Sequence, residues 1–271
     1  MKVELMLERL IKSAVRGLPV LYHFLSYLYN YPSKGYLPRK VKEIDTVIKN
    51  ISEYKTKIFF IQVGANDGIS GDPIHKYVQK YNWRGVLIEP IPFLFKKLQQ
   101  NYINKKENLT FLNCAVSAED IRAKIIYVID EKYKEEVPEW YFQLGSFNKN
   151  VLLSHNIPDV EKNLTEMEVG LITLQQVIEE NSIHQIDFLQ IDTEGYDLEV
   201  LKTLDFNKSL PKVILIEYIH LSLAERKQLI KIFKANGYKT YRCNNDFISI
   251  HQSVYSVVAK NICICPYHDF T

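Results

Sequence analysis

Four residues at the ends of two apolar runs carry the proton chemistry open to this chain. Asp192 and Glu194 follow the run Asp187 to Ile191, and Glu217 and His220 follow Val213 to Ile216. Carboxylates and an imidazole grouped in this way suit removal of a proton from a hydroxyl. Asp192 and Glu194 also offer hard oxygen ligands for Mg²⁺ or another divalent cation. Plainer roles compete with these. One of the two carboxylates can cap the helix expected over Tyr196 to Thr203, and His220 can be an ordinary loop histidine. A second group of residues has the form of a binding turn. Gly64 and Gly68 bracket the segment after the apolar run Ile58 to Val63, and glycine there permits positive φ and close approach of a ligand to the backbone. Glu89 ends the next apolar run about 20 residues further on, where a carboxylate accepts hydrogen bonds from the hydroxyls of a ribose.

These residues need elements to hold them, and the chain supplies a regular alternation. A helix over Lys42 to Glu53 leads into the strand Ile58 to Val63. A helix is expected to start at Asp72-Pro73, with Asp as N-cap and Pro in the first turn. Strand Gly85 to Ile88, helix Phe93 to Tyr102 and strand Leu109 to Asn113 follow. Between 117 and 172 the order changes: Lys124 to Ile129 and Thr165 to Ile172 read as added strands around an irregular loop holding Trp140 and Gly145. Helix Thr173 to Glu180, strand Asp187 to Ile191, strand Val213 to Ile216 and helix Leu223 to Asn236 restore the alternation. A Tyr/Val-rich pair, Tyr238 to Arg242 and Val254 to Ala259, is expected to form two late antiparallel strands joined by a short polar stretch. Buried strands alternating with helices imply a parallel sheet covered on both faces, an α/β sandwich of the Rossmann type. A ligand then belongs at the carboxyl ends of the strands.

Composition narrows the class. The chain has 271 residues, 46% hydrophobic and 24% charged, with a net charge of +2. That balance gives no global grip on nucleic acid. The 4 cysteines (Cys114, Cys243, Cys263, Cys265) include no CxxC pair and point to a reducing, cytoplasmic setting. Cys263, Cys265 and His268 lack a fourth metal partner at standard spacing and read as ordinary residues. Residues 1–40 form an N-terminal helical extension ahead of a domain over 41–271. Val3, Leu7, Leu10, Ile11, Ala14, Val15 and Leu18 share one helical face, and Pro32, Gly35 and Pro38 mark the exit. Residues 1–31 suit packing on the main domain, a second copy of the chain, or peripheral contact with a membrane surface. The apolar run Leu18 to Tyr31 falls short of the about 20 residues needed to span a bilayer.

The cofactor can be narrowed by what the turn lacks. Asn66 stands where the dinucleotide fingerprint would have its second glycine, which argues against NAD and a nicotinamide-dependent oxidoreductase. A cofactor with a ribose but no phosphate fits, and S-adenosylmethionine is such a cofactor. A non-catalytic module that keeps the fold is the remaining alternative. The Asn/Asp-Pro-Pro-aromatic segment expected of a nucleic-acid base methylase is absent.

Val63-Gly64-Ala65-Asn66-Asp67-Gly68, Leu87-Ile88-Glu89-Pro90, Asn113-Cys114-Ala115-Val116 and Ile191-Asp192-Thr193-Glu194-Gly195, in this order, resemble the FkbM family of S-adenosylmethionine-dependent methyltransferases. The resemblance implies a class I methyltransferase fold: a mostly parallel seven-stranded sheet with an antiparallel C-terminal edge and a small β insertion over 117–172. It also implies methylation of a hydroxyl on a sugar, glycan or glycosylated secondary metabolite. Carried over by residue, Gly64, Asn66 and Gly68, with Gln62 and Asp67, would shape the methionine pocket. Glu89 and Pro90 would serve the ribose, Ala115 and Val116 would border the adenine, and Asp192 would lie by the transferred methyl. Gln62 is a departure, because the family usually has an acidic residue there to hold the methionine amino group. The acceptor would meet Ser146, Asn148 and His155 from the inserted loop. Trp140, Tyr141 and Phe142 either stack on a sugar face or belong to the core.

Overall fold

Alternation of side chains along each central strand separates the protein into two apolar layers. A computed structural model describes residues 39–119, 122–155, 157 and 160–262. The expectations placed on residues 1–31, on Pro32, Gly35 and Pro38, and on Cys263, Cys265 and His268 lie outside those residues. The chain divides into Met1–Lys42 and Glu43–Thr271, and the architecture is that of the second unit. Helix α1 (Arg39–Tyr54) leads into β1 (Phe59–Val63), α2 (His75–Tyr81), β2 (Arg84–Ile88), α3 (Pro92–Asn101) and β3 (Leu109–Leu112). After the insertion come α6 (Leu174–Glu180), β8 (Phe188–Ile191), α7 (Asp197–Lys202), β9 (Val213–Glu217), α8 (Leu223–Ala235), β10 (Tyr238–Cys243), β11 (Asp246–His251) and α9 (Tyr255–Val258).

These strands form one seven-stranded sheet in the order β10-β11-β9-β8-β1-β2-β3. All neighbours are parallel except β11, which runs antiparallel to both β9 and β10. This is the mostly parallel seven-stranded sheet with an antiparallel C-terminal edge expected from the sequence. Phe60, Leu87, Phe188, Leu215 and Ile248 face one side, against Val47 and Ile51 of α1, Val78 of α2 and Trp83. Their strand neighbours Ile61, Val86, Leu189 and Ile214 face the other, against Val177 of α6, Leu201 of α7 and Phe233 of α8. Both faces are therefore dry, which is why these strands read as continuous apolar runs.

The insertion adds β4 (Ala115–Val116), β5 (Ala123–Ile129), α4 (Glu139–Phe142), β6 (Gly145–Ser146), α5 (Lys149–Leu153) and β7 (Leu164–Ile172). Its sheet has the order β4-β7-β5-β6. Ile126, Val128 and Val169 pack on Ile91 and Leu94, so this sheet stands against the start of α3. The stretch read as an irregular loop thus contains two short helices and a strand paired to β5. Tyr141 and Phe142 are core residues, and the Tyr141 hydroxyl donates to the Leu152 carbonyl.

Two expectations are corrected. Val254–Ala259 is not a strand: α9 occupies it, with Val254 and Val258 buried four residues apart on one face. The true partner of β10 is β11, reached by a tight turn at Asn244-Asn245 in which Asn244 has φ 53°, a conformation asparagine tolerates. Helix α2 begins at His75 rather than at Asp72-Pro73, and its N-cap, Ile74, has no side-chain cap. Asp72 instead folds the preceding turn, its Oδ1 accepting from the Ile74 amide at 2.8 Å.

The amino-terminal edge of the sheet is closed by Asp187. Its buried carboxylate takes Lys55 Nζ at 2.8 Å, the Phe59 amide at 2.9 Å and the Gln185 side chain at 2.9 Å. The residues expected to carry the chemistry lie at the opposite edge. Among the described residues no helix is long and apolar enough to cross a membrane.

Candidate active site

The carboxyl edge of the sheet places the chemical residues in the order of its strands. Moving from β9 across β8, β1 and β2 to β4 next to β7, the edge presents Glu217 and His220, then Asp192 and Glu194, then Gly64 and Asn66, then Glu89, then Ala115 and Val116. A cleft of about 880 Å³, counting its open mouth, runs along this edge. Gln62, Gly64, Asn66, Glu89, Pro90, Ala115, Val116, Ser146, Asp192 and Glu194 all line it, and so does Asp72.

The turn after β1 is built by backbone bonds. The amides of Gly64 and Ala65 both donate to the Ile88 carbonyl at 3.0 Å, tying the turn to β2. Asn66 then adopts φ 51° and donates its amide to Glu89 Oε2 at 2.8 Å, while the Ile91 amide donates to Oε1 at 2.9 Å. Glu89 therefore enters the cleft held on both oxygens, each with one lone pair left for a ligand. Burial pushes its carboxyl up to about 7, against the pull of those two amides. Asp67 and Gly68, expected at the cofactor, serve the turn itself. Asp67 Oδ1 accepts from the Ile69 and Ser70 amides; against burial, these with the Ser70 hydroxyl and Lys97 hold its carboxyl below the usual range. Gly68 packs against Leu98 and Tyr102. Because α2 starts only at His75, no helix N-terminus among the described residues abuts the glycine turn as a pyrophosphate would require.

Beside that turn lies a group of unmet acceptors. Gln62 and Gln190 are register partners on β1 and β8, and both are buried. Their Oε1 atoms have no hydrogen-bond partner, nor does Asp72 Oδ2. Burial raises the Asp72 carboxyl to about 6, with Gln62 and Tyr102 adjacent to it. A buried oxygen without a donor is costly, and three facing one cleft form a receptor for a donor-rich cation such as an ammonium. Gln143 Nε2, an unpaired donor from the insertion, lines the same space. The sequence reads Asp72 only as a helix N-cap, because its approach to Gln62 is a tertiary contact.

The turn after β8 is stranger. Glu194 has φ 52° and Gly195 φ 95°. Neither Asp192 nor Glu194 caps α7. The turn is held instead by Asp197, the first residue of that helix, whose oxygens accept from the Thr193 amide at 3.0 Å and the Gly195 amide at 3.1 Å. Asp197 is buried, which pushes its carboxyl up to about 7. Ser146 Oγ donates to the Glu194 carbonyl at 2.8 Å, joining the insertion to this turn. Asn148 does not line the cleft: its side chain caps α5 by accepting from the Asn150 amide.

His220 Nε2 lies 3.2 Å from Glu194 Oε2 and 3.9 Å from Glu217 Oε2. His155, from the insertion, faces the same point, its ring centroid 5.5 Å from that of His220. Trp140 and Tyr141 pack edge-on against His155. Asp192 is buried among Glu194, Asp197 and Asp246, and burial first, then those charges, raises its carboxyl far above the ordinary range. The same causes raise Glu217 to about 10. The four residues expected to move a proton are thus one cluster at the β8–β9 end of the edge. His155 joins them, and it was expected only to touch the acceptor.

The family model described as Methyltransferase FkbM domain matches residues 62–240. No curated protein matches the chain. Among solved structures, Methyltransferase FkbM from Methylobacillus flagellatus KT is similar at 15% identity and TM-score 0.45, over 72% of this chain and 44% of that one. A precorrin-6y C5,15-methyltransferase from Geobacter metallireducens GS-15 is similar at 9% identity and TM-score 0.39, over 76% and 84%. The N-terminal domain of human METTL16 in complex with SAH gives 12% identity and TM-score 0.40, over 80% and 70%.

Proposed function

This chain belongs to the FkbM methyltransferase family, and from that membership we propose that it is an S-adenosylmethionine-dependent O-methyltransferase acting on a hydroxyl of a sugar, glycan or glycosylated metabolite. The observation that carries the cofactor assignment is the set of unpaired acceptor oxygens on Gln62, Asp72 and Gln190, placed along one edge with Glu89. Those oxygens suit the ammonium of a methionine moiety, with Asp72 supplying the negative charge that Gln62 lacks. Glu89 suits the ribose hydroxyls, and Ala115 and Val116 the adenine.

When bound, the cofactor supplies an electrophilic methyl group that passes to the hydroxyl oxygen while the sulfur keeps the bonding pair. The chain has two tasks beside that chemistry. One is to align acceptor and methyl donor, which governs much of the rate of an in-line displacement. Ser146, at the β5–β6 pairing and bonded to the Glu194 backbone, places the insertion over the acceptor side. The other is to receive the hydroxyl proton, and Asp192, Glu194, Glu217 and His220 do so as a coupled group. Burial has raised Glu217 to about 10, so that carboxyl already holds a proton near neutral pH and the hydroxyl proton goes to the rest of the cluster. Asp192 and Glu194 also offer oxygens to a divalent cation, as their residue types suggest.

The test is transfer of labelled methyl from S-adenosylmethionine to a panel of monosaccharides, oligosaccharides and glycosylated metabolites. We expect an alkali-stable ether product with at least one sugar. Label recovered only as an alkali-labile ester, or on nitrogen, would overturn the O-methylation assignment.

A further inference from the structure

We propose that His155, Glu194 and His220, with Glu217 beside them, are the ligands of a divalent transition-metal ion, of the class that takes imidazole nitrogen together with carboxylate oxygen. One ligand atom from each of His155, Glu194 and His220 falls within 4.8 Å of the others. Donors around a tetrahedral Zn²⁺, each about 2.0–2.2 Å from the ion, stand about 3.3–3.6 Å apart. Glu194 Oε2 and His220 Nε2 already stand 3.2 Å apart, and the His155 nitrogen has to close from a separation within 4.8 Å. Glu217 Oε2, 3.9 Å from His220 Nε2, is within reach as a fourth donor.

A second observation points the same way. His155 Nε2, Glu194 Oε2 and Glu217 Oε2 are buried without any hydrogen-bond partner. Groups that met only to bond one another would be aligned to do so, whereas unmet lone pairs on one centre are what a cation satisfies. The ligands are also braced from behind, as metal ligands usually are. Trp140 and Tyr141 pin the His155 ring, and Asp197 and Ser146 hold the turn that aims Glu194.

Two imidazoles change the expected metal. Mg²⁺ prefers all-oxygen surroundings and keeps its waters, while a set with two imidazoles suits Zn²⁺, Fe²⁺, Ni²⁺ or Cu²⁺. The ion would join three separated segments: the insertion after α5, the turn after β8 and the turn after β9. On the methyltransferase reading, an ion held by these residues would supply Lewis acidity toward the acceptor hydroxyl. His155, Glu194 and His220 are then ligands rather than proton acceptors.

The experiment is titration of the chelator-stripped full-length chain with Co²⁺, followed by visible absorption, with Zn²⁺ as competitor and Mg²⁺ as control. We expect one Co²⁺ per chain with bands typical of imidazole ligation, displaced by Zn²⁺ and not by Mg²⁺. His155→Gln and His220→Gln should each weaken Co²⁺ binding about 100-fold, with thermal stability in chelator unchanged. Absence of a Co²⁺ spectrum, or equal binding by both folded variants, would overturn the proposal. So would Mg²⁺ binding indifferent to both histidines. Cofactor titration in chelator reads the methyltransferase assignment separately, so either can fail while the other stands.

Discussion

Gly64 lies so close to Asp192 that a Cβ on Gly64 would fall 1.7 Å from the Asp192 carbonyl oxygen. The turn after β1 and the turn after β8 therefore meet backbone to backbone, at the point where the proposed cofactor side of the cleft meets the proposed proton-handling side. Glycine is required there twice, by this contact and by a φ of 76°. Gly64→Ala should destabilise the fold by at least about 3 kcal/mol, the upper range for overpacking, because backbone cannot yield as a side chain does. Gly71 is a matched control, with φ 70° and nothing within 4 Å of its added Cβ. Gly71→Ala should cost only about 1–2 kcal/mol, the left-handed penalty alone. Denaturant unfolding of both variants checks the difference.

Glu89 ties affinity to pH. Its carboxyl rises from 4.5 to about 7 on folding, so the folded state holds the proton more tightly than the unfolded one. That contribution to stability is fully present below about pH 4.5 and is lost as pH rises through 7. Glu89→Gln should flatten this part of the stability profile. It should also weaken S-adenosylmethionine binding by about 1–3 kcal/mol, the cost of losing a charged hydrogen-bonding partner. Unfolding across pH and calorimetry with the cofactor read the two effects independently.

Asp72 should behave as the acid of the ammonium end. Asp72→Asn keeps an acceptor for the Ile74 amide and removes the charge. It should weaken S-adenosylmethionine and S-adenosylhomocysteine about equally, by roughly tenfold or more, since both carry the same amino group and a charged hydrogen bond is worth about 1.5–3 kcal/mol. Unchanged affinity for both would remove Asp72 from the cofactor site.

Asp197 should act on turnover without touching substrate. In Asp197→Ala the Thr193 and Gly195 amides lose their acceptor, at about 1–3 kcal/mol for each buried donor left unpaired. The Glu194 turn, with φ 52°, then loses its brace. We expect kcat to fall far more than the cofactor Kd rises. Asp197→Asn, which retains one acceptor oxygen, should recover part of both stability and kcat.

Much of the fold is legible in the sequence because its central strands are buried on both faces, so Ile58 to Val63, Gly85 to Ile88 and Val213 to Ile216 read as unbroken apolar runs. The C-terminal hairpin is harder. Val and Tyr in Val254–Ala259 favour a strand by propensity, yet Val254 and Val258 follow the helical spacing that α9 adopts. Phe247, Ile248 and Ile250 carry the real β11, behind two turn asparagines. In the site, Glu89, Asp192, Glu194, Glu217 and His220 announce themselves by standing at strand ends. Asp72, Asp197 and the convergence of His155 on Glu194 do not, because each depends on contacts between segments that only the folded chain brings together.

The central claim is that the cleft along the carboxyl edge holds S-adenosylmethionine, and calorimetric titration of the full chain tests it most directly. We expect S-adenosylmethionine and S-adenosylhomocysteine to bind at one site, both weakened by Glu89→Gln, and NAD⁺ not to bind. Binding of NAD⁺ in their place, or of none of the three to the folded chain, would contradict it.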